Sequence, residues 1–227
     1  ASLFNGIVKS ANHQIIDTFT GHILVTPLEG QDYIEDVSTV LATVRGTAGI
    51  KSAAPHLVVP ATLKYQAIKL NTPIVAIDPE AEPSVTIVAD HMVSGEYLAA
   101  GDTDQIIIGQ QIAGGEQSEM KAFSLKDAQV GDRVTLALGS VTREFTIKGI
   151  FDTKFIDNDQ QSFITTEAYA AMNPTVGDQA TSILVRVNDE DEIGTVLNAL
   201  RQKNIKATLY QWDEASARTL PPPIAAA

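Results

Sequence analysis

The apolar positions of this chain follow two periods. Ile7, Val8, Ala11, Ile15, Ile16 and Phe19 recur at helical spacing, predicting a helix over 3–20 that Thr20-Gly21 stops. His22 to Thr26 is a short β-rich run ending at Pro27. Asp32 is the expected cap of a helix with Ile34, Val37, Val40, Leu41 and Val44 on one stripe, closed at Gly46 or Gly49. Ile50 to Tyr65 reads as strand interrupted at Pro55, and Pro73 to Asp78 as another strand.

The far end repeats this plan. Ser182 to Val187 is a predicted strand. Asp189 with Glu192 three residues on fits a capping box, and an acidic first turn suits the helix dipole. Ile193, Val196, Leu197 and Leu200 form the apolar stripe, Asn204 is the expected left-handed stop, and Ile205 to Trp212 the closing strand. Two βαβ-like units predict an α+β fold of split, ferredoxin-like type with the middle of the chain inserted between its halves. Residues 1–83 plus 178–217 are expected to form this porter-like α+β subdomain, and 84–177 the insert.

The insert has a different texture. Gln105 to Gly109 reads as a buried strand. Gly131 to Leu138 alternates, Gly139-Ser140 turns, and Arg143 to Phe151 alternates back, which is a hairpin pattern. Residues 157–161 are an expected loop, 162–165 a short strand and 166–172 a helical turn capped by Thr166. The insert is therefore expected to be β-rich. The tail 218–227, with Leu220-Pro-Pro-Pro223, reads as a linker or cloning scar.

Composition narrows the function. Lys plus Arg total 16 against 28 Asp plus Glu, a net charge of −12. Such a surface repels phosphate backbones and anionic lipid headgroups, so neither nucleic acid nor a basic membrane-binding face is expected. The absence of cysteine removes disulfides, thiolate nucleophiles and cysteine-based zinc sites. No run of 18 apolar residues is present, and Ala1 to Ile7 shows no signal-peptide pattern.

No catalytic constellation emerges. His13, His22, His56 and His91 have no metal-ligand spacing and read as surface or strand-edge residues. Ser94 and Ser140 lack the strand–helix elbow of a serine hydrolase. Asp157 and Asp159 resemble the start of a calcium loop, but its sixth position is Ser162 and its twelfth Ala168, which leaves a solvated acidic loop with room for a casual cation. Gly109 to Gly115 lacks the Gly-Lys-Ser/Thr ending of a phosphate loop. An acid pair such as Asp102/Asp104 has nothing in its spacing to recommend it. Trp212 is expected to be partly packed at the end of the last strand. No residue is assigned as catalytic, cofactor-binding or metal-ligating, and no cofactor is expected.

Several segments, taken in order, resemble a known family. Phe4-Asn-Gly-Ile7 with Thr20 to Val25 resembles the exit from a first membrane helix into a first strand. Ile77-Asp-Pro-Glu80 resembles a strand end common in lipoprotein-releasing permeases, with Ala76 where glycine is usual. Val93 to Leu98 with Ile106 to Ala113, and Val130 to Val134 with Phe145 to Phe151, resemble glycine-punctuated strands of the same family. The set is similar to the extracytoplasmic, MacB-like periplasmic core domain of MacB/LolC/LolE/FtsX-type ABC transporter permeases. That resemblance implies a domain held between the first two of four membrane helices, with both chain ends in the porter-like part. It also implies a homo- or heterodimeric permease working with a cytoplasmic ATPase, and a domain that does no chemistry. Such a domain transmits ATP-driven motion and engages a protein, lipoprotein or small-molecule cargo on the extracytoplasmic side of the cell membrane. The alternative expectation is a free-standing secreted or periplasmic binding module.

Overall fold

A computed structural model describes residues 2–119 and 121–219; the expected tail from 220 onwards lies outside the described residues. In chain order the helices and strands are α1 (Ser2–Ile15), β1 (Ile23–Thr26), β2 (Ile34–Glu35), α2 (Val37–Arg45), β3 (Ile50–Val59), β4 (Thr62–Tyr65), β5 (Ile68–Asn71), β6 (Ile74–Ile77), β7 (Met92–Gly95), β8 (Gln105–Gly109), α3 (Gln110–Ala113), β9 (Arg133–Leu138), β10 (Val141–Phe151), β11 (Ser162–Thr165), α4 (Thr166–Met172), β12 (Gln179–Ala180), β13 (Ser182–Val187), α5 (Ile193–Arg201), β14 (Thr208–Gln211) and α6 (Trp212–Thr219). A π-helical turn, Ile16–Thr20, joins α1 to β1.

The fold is α+β, and the chain divides into two compact units. The first comprises the described residues within 1–55, 84–86 and 178–227; the second comprises those within 56–83 and 87–177. Residues 56–83, expected with the first unit, pair with strands of the second: β6 runs parallel to β11, and β4 antiparallel to β9.

In the first unit the strand order is β14-β1-β13-β3, and β1 pairs antiparallel with both β13 and β14. With α2 after β1 and α5 after β13, this is the split βαβ arrangement that the repeated pattern predicts. The two helices bury the same spacing, Val37, Val40, Leu41 and Val44 on α2 and Ile193, Val196, Leu197 and Leu200 on α5. These side chains share one core with Ile23, Val25, Ile183 and Val185. Each contributes about 1.5–3 kcal/mol by leaving water.

Helix α2 starts later than expected. Asp36, not Asp32, is its N-cap, with a left-handed backbone and no side-chain cap bond. Asp178 supplies the cap instead: its carbonyl oxygen accepts from Val37 N–H at 3.2 Å, and its Oδ2 from Ser38 N–H at 2.9 Å. Ile34–Glu35, read as the first helical turn, is a strand paired with β12.

The second unit holds β6-β11-β8-β10-β9-β4-β5 in spatial order, with the last residues of β3 on β6 and with β7 on β10. The expected hairpin is β9–β10, in register from Val141 opposite Leu138 to Thr146 opposite Arg133. Val134, Leu136, Phe145 and Ile147 alternate inward, as their period of two requires. Strand β3 runs unbroken through Pro55. The proline withholds no donor from the ladder to β6, which begins only at His56. Thr165 rather than Thr166 caps α4, its Oγ1 accepting from Ala168 N–H at 3.0 Å.

Candidate functional site

No enzyme-like constellation forms among the described residues. His22 and His56, expected at the surface or a strand edge, are buried, at 5% and 7% exposure, and each meets a carboxylate. A charged-capable side chain in a core needs a partner, and a distant acid supplies one in each case. No group of three or more His, Asp or Glu among the described residues is placed to hold a metal. In the 157–161 segment, Asp159 is buried and its Oδ1 accepts from Thr153 N–H and Oγ1 at 2.8 and 2.7 Å. Burial and the neighbouring Asp152 carboxylate push its carboxyl up to about 6, although the Thr153 bonds pull it down. Asp102 is occupied structurally, by Lys148 Nζ at 2.7 Å and Ala99 N–H at 2.8 Å.

The Ile77-Asp-Pro-Glu80 motif is a turn. Asp78 Oδ1 accepts from Glu80 N–H at 3.0 Å, and the Asp78 carbonyl from Glu82 N–H at 3.0 Å. The turn delivers the Glu82 carboxyl to His56 Nε2, 2.8 Å from each oxygen. Tyr97 caps the same turn, donating to the Pro79 carbonyl at 3.1 Å, and burial raises its phenol above the ordinary value.

The arrangement that stands out lies in the first unit, which holds both α1 and α6. Residues 3–11 of α1 are exposed on every side, and Leu3, Phe4, Ile7 and Val8 leave apolar surface uncovered. The helix then widens into the π turn, whose Ile16, Thr18 and Thr20 are buried. Such one-turn widenings recur at functional positions. Gly21 follows at φ +61° against β13; a Cβ there would lie 2.6 Å from the Val185 carbonyl oxygen.

His22 ties the elements together. Its N–H donates to Val185 O at 2.8 Å, and its carbonyl accepts from Trp212 N–H at 3.0 Å, where α6 begins. Its Nδ1 accepts from Val187 N–H at 3.0 Å, so the ring proton sits on Nε2, which faces Glu190 Oε1 at 3.3 Å. His13, on the last turn of α1, reaches Glu190 Oε2 at 3.8 Å. One step away, Arg186 pairs with Asp17 of the π turn and donates from Nε to Val85 O at 3.0 Å. Helix α6 packs on the π turn, β1 and β14, and Trp212 is half-buried against the unit's core. Thus α1 and α6 root on opposite sides of one residue, braced by an ion pair and a shared carboxylate. Sequence reasoning passed over this joint. Its one local signal is Arg186, a charge inside the otherwise apolar run 182–187.

Burial holds the His22 imidazole below its ordinary value of 6.5, with Arg186 acting in the same sense; Glu190 and Asp17 oppose them. The unfolded chain therefore takes up a proton at a pH where the folded one does not. The stability contributed by the neutral ring is complete above about 6.5 and is lost as pH falls from there towards the lower folded value. Asp159 acts in the opposite sense between about 6 and 3.8. The His22→Asn variant keeps an acceptor on Cγ, where Nδ1 stood, for Val187 N–H and removes the titration. Urea unfolding at pH 7.5 and 5.5 is expected to show a smaller acid loss in the variant than in the wild type. Equal losses would remove His22 from the acid response.

No helix among the described residues is long and apolar enough to cross a membrane. The model of the MacB-like periplasmic core domain family matches residues 1–203. No curated protein matches the chain in sequence. Among solved structures, the periplasmic region of MacB from Actinobacillus actinomycetemcomitans superposes with a TM-score of 0.61 at 13% identity, covering 92% of this chain and 97% of that one. The extracellular domain of the noncanonic ABC-type transporter YknZ from Gram-positive bacteria gives 0.60 at 12% identity, covering 83% and 98%. At these identities the structures speak for the fold, and the family match covers most of the chain. The chain belongs to the MacB-like periplasmic core domain family and is an extracytoplasmic domain of an ABC transporter permease.

Proposed function

We propose that this domain transmits ATP-driven motion across the cell membrane and engages a substrate or partner protein on the extracytoplasmic side, in a machine of lipoprotein-release or efflux type. The observation that carries the reading is the joint at His22, where α1 and α6 are anchored within one hydrogen-bonded residue. A push on either helix reaches β1 and β13 without passing through a loop. The reading includes a cytoplasmic ATPase acting through the membrane part, a second permease subunit, and no catalysis or cofactor in the domain itself.

Two measurements test it. The reading frame around this segment is expected to encode an apolar helix of about 20 residues just upstream and further such helices downstream. A stop shortly after residue 227 with only a cleavable leader upstream favours the free-standing binding module. The chain contains no cysteine, so Lys9→Cys with Lys51→Cys places two spin labels at exposed positions of the first unit. In the assembled transporter their separation is expected to shift when ATP binds; an unchanged distribution across the ATP cycle overturns the transmission reading.

A further inference from the structure

The first unit carries a groove that the joint does not use. About 420 Å³ of space lies between α2 and the turn from α5 to β14, at the lower end of the range for ligand pockets and roomy enough for a few residues of extended chain. Its apolar lining comes from Val40, Ile205 and the exposed Leu28; Thr39 and Thr43 line it from α2.

The rims are charged and largely uncommitted. Lys203 and Lys206 line one side, and neither forms an ion pair among the described residues, whereas Lys148, Lys154, Arg133 and Arg186 all do. On the other side Glu35 is held by Gln179 Nε2 at 2.9 and 3.2 Å. Asp36 makes no side-chain cap bond, because Asp178 already serves the first turn of α2. In a chain of net charge −12, two lysines outside every ion pair among the described residues stand across the groove from Glu35 and Asp36 and offer positive charge to an acidic group.

We propose that this groove binds an extended peptide segment of a partner protein in which an acidic side chain lies between apolar ones. The acidic group pairs with Lys203 and Lys206, the apolar side chains cover Val40 and Ile205, and the segment's backbone N–H groups donate to Asp36 and Thr39. The inference deepens the partner-engaging part of the function above and rests on it.

The test uses the whole chain in solution, with acetyl-Leu-Asp-Leu-amide as probe and its Asn and Lys analogues as controls, followed by amide NMR shifts. Saturable shifts confined to Thr39, Val40, Thr43, Ile205 and their neighbours are expected. Affinity is expected to fall about two- to fivefold, the scale of a rim ion pair, for the Asn analogue, and at least as much for the Lys203→Glu/Lys206→Glu variant, which reverses both charges. Both lysines are exposed, so the variant's remaining spectrum should superpose on the wild type. Absence of saturation by about 10 mM, equal binding of the Lys analogue, or shifts indifferent to the lysine replacements overturns the proposal. The spin-label distances do not depend on the groove: failure here with ATP-dependent movement there removes the groove alone, whereas no movement there removes the transmission reading.

Discussion

Replacing His56 with alanine is expected to destabilise the second unit by about 3–5 kcal/mol, the cost of stripping a buried ionisable group of its partner. His56 and Glu82 are 7% and 1% exposed, and the imidazole Nε2 stands 2.8 Å from both carboxyl oxygens. The ring also meets Phe163 edge-on at 6.4 Å, so its removal opens space in the core as well. Alanine at 56 takes from the buried Glu82 carboxyl the one ring nitrogen that meets both of its oxygens. The double replacement His56→Leu/Glu82→Met is expected to recover much of the loss, because an apolar pair of similar volume avoids the desolvation penalty. Urea unfolding of the three proteins decides the matter. A single variant within about 1 kcal/mol of the wild type, or a double variant no better than the single one, would show that the pair does not stabilise the unit.

Gly109→Ala is expected to cost about 3 kcal/mol, the upper end for an overpacked site. The backbone angle at Gly109 is ordinary, so conformational freedom is not the issue; space is. A Cβ would lie 2.0 Å from the Asp159 carbonyl oxygen and 2.4 Å from its carbon, and neither belongs to a side chain that could swing aside. The backbone also holds this approach, through Gly109 N–H to Gln161 O at 2.9 Å. The methyl group must therefore push the 158–160 turn off β8 and pull Asp159 from Thr153. A carbon-detected titration provides the structural readout: the Asp159 carboxyl, at about 6 in the wild type, is expected to move towards 3.8 as it becomes solvated. Gly194→Ala is the control. Its Cβ meets nothing within 4 Å, and it lies inside α5, so alanine is expected to stabilise by up to about 1 kcal/mol. Equal effects at the two sites would refute the packing argument.

Much of the fold was legible because local spacing encodes it. The stripes on α2 and α5 stand at i, i+3, i+4 and i+7 in the sequence and are buried as such. The β9–β10 alternation and the Gly139 turn needed no partner to be seen. The left-handed stop at Asn204 is present at φ 56°. The glycines at 21, 95, 109 and 149 were visible as punctuation, but the backbones they admit, at Val185, Lys148, Asp159 and Glu96, were not.

What the sequence by itself determined is the two helix stripes, the β9–β10 hairpin, the repeated strand–helix order and hence the family, since apolar period, turn residues and glycine spacing act within a few positions. Tertiary structure alone decided where α2 begins, because its cap is Asp178, 140 positions from Ser38. It alone buried His22 and His56, and it moved residues 56–83 into the second unit through ladders to β9 and β11. The joint is the extreme case: Asp17 and Arg186 are 169 positions apart, and His22 and Val187 are 165 apart. A contact closed over such a distance leaves no periodic trace in the residues between, because its stabilisation comes from burial and hydrogen bonding that exist only once both strands have been brought side by side.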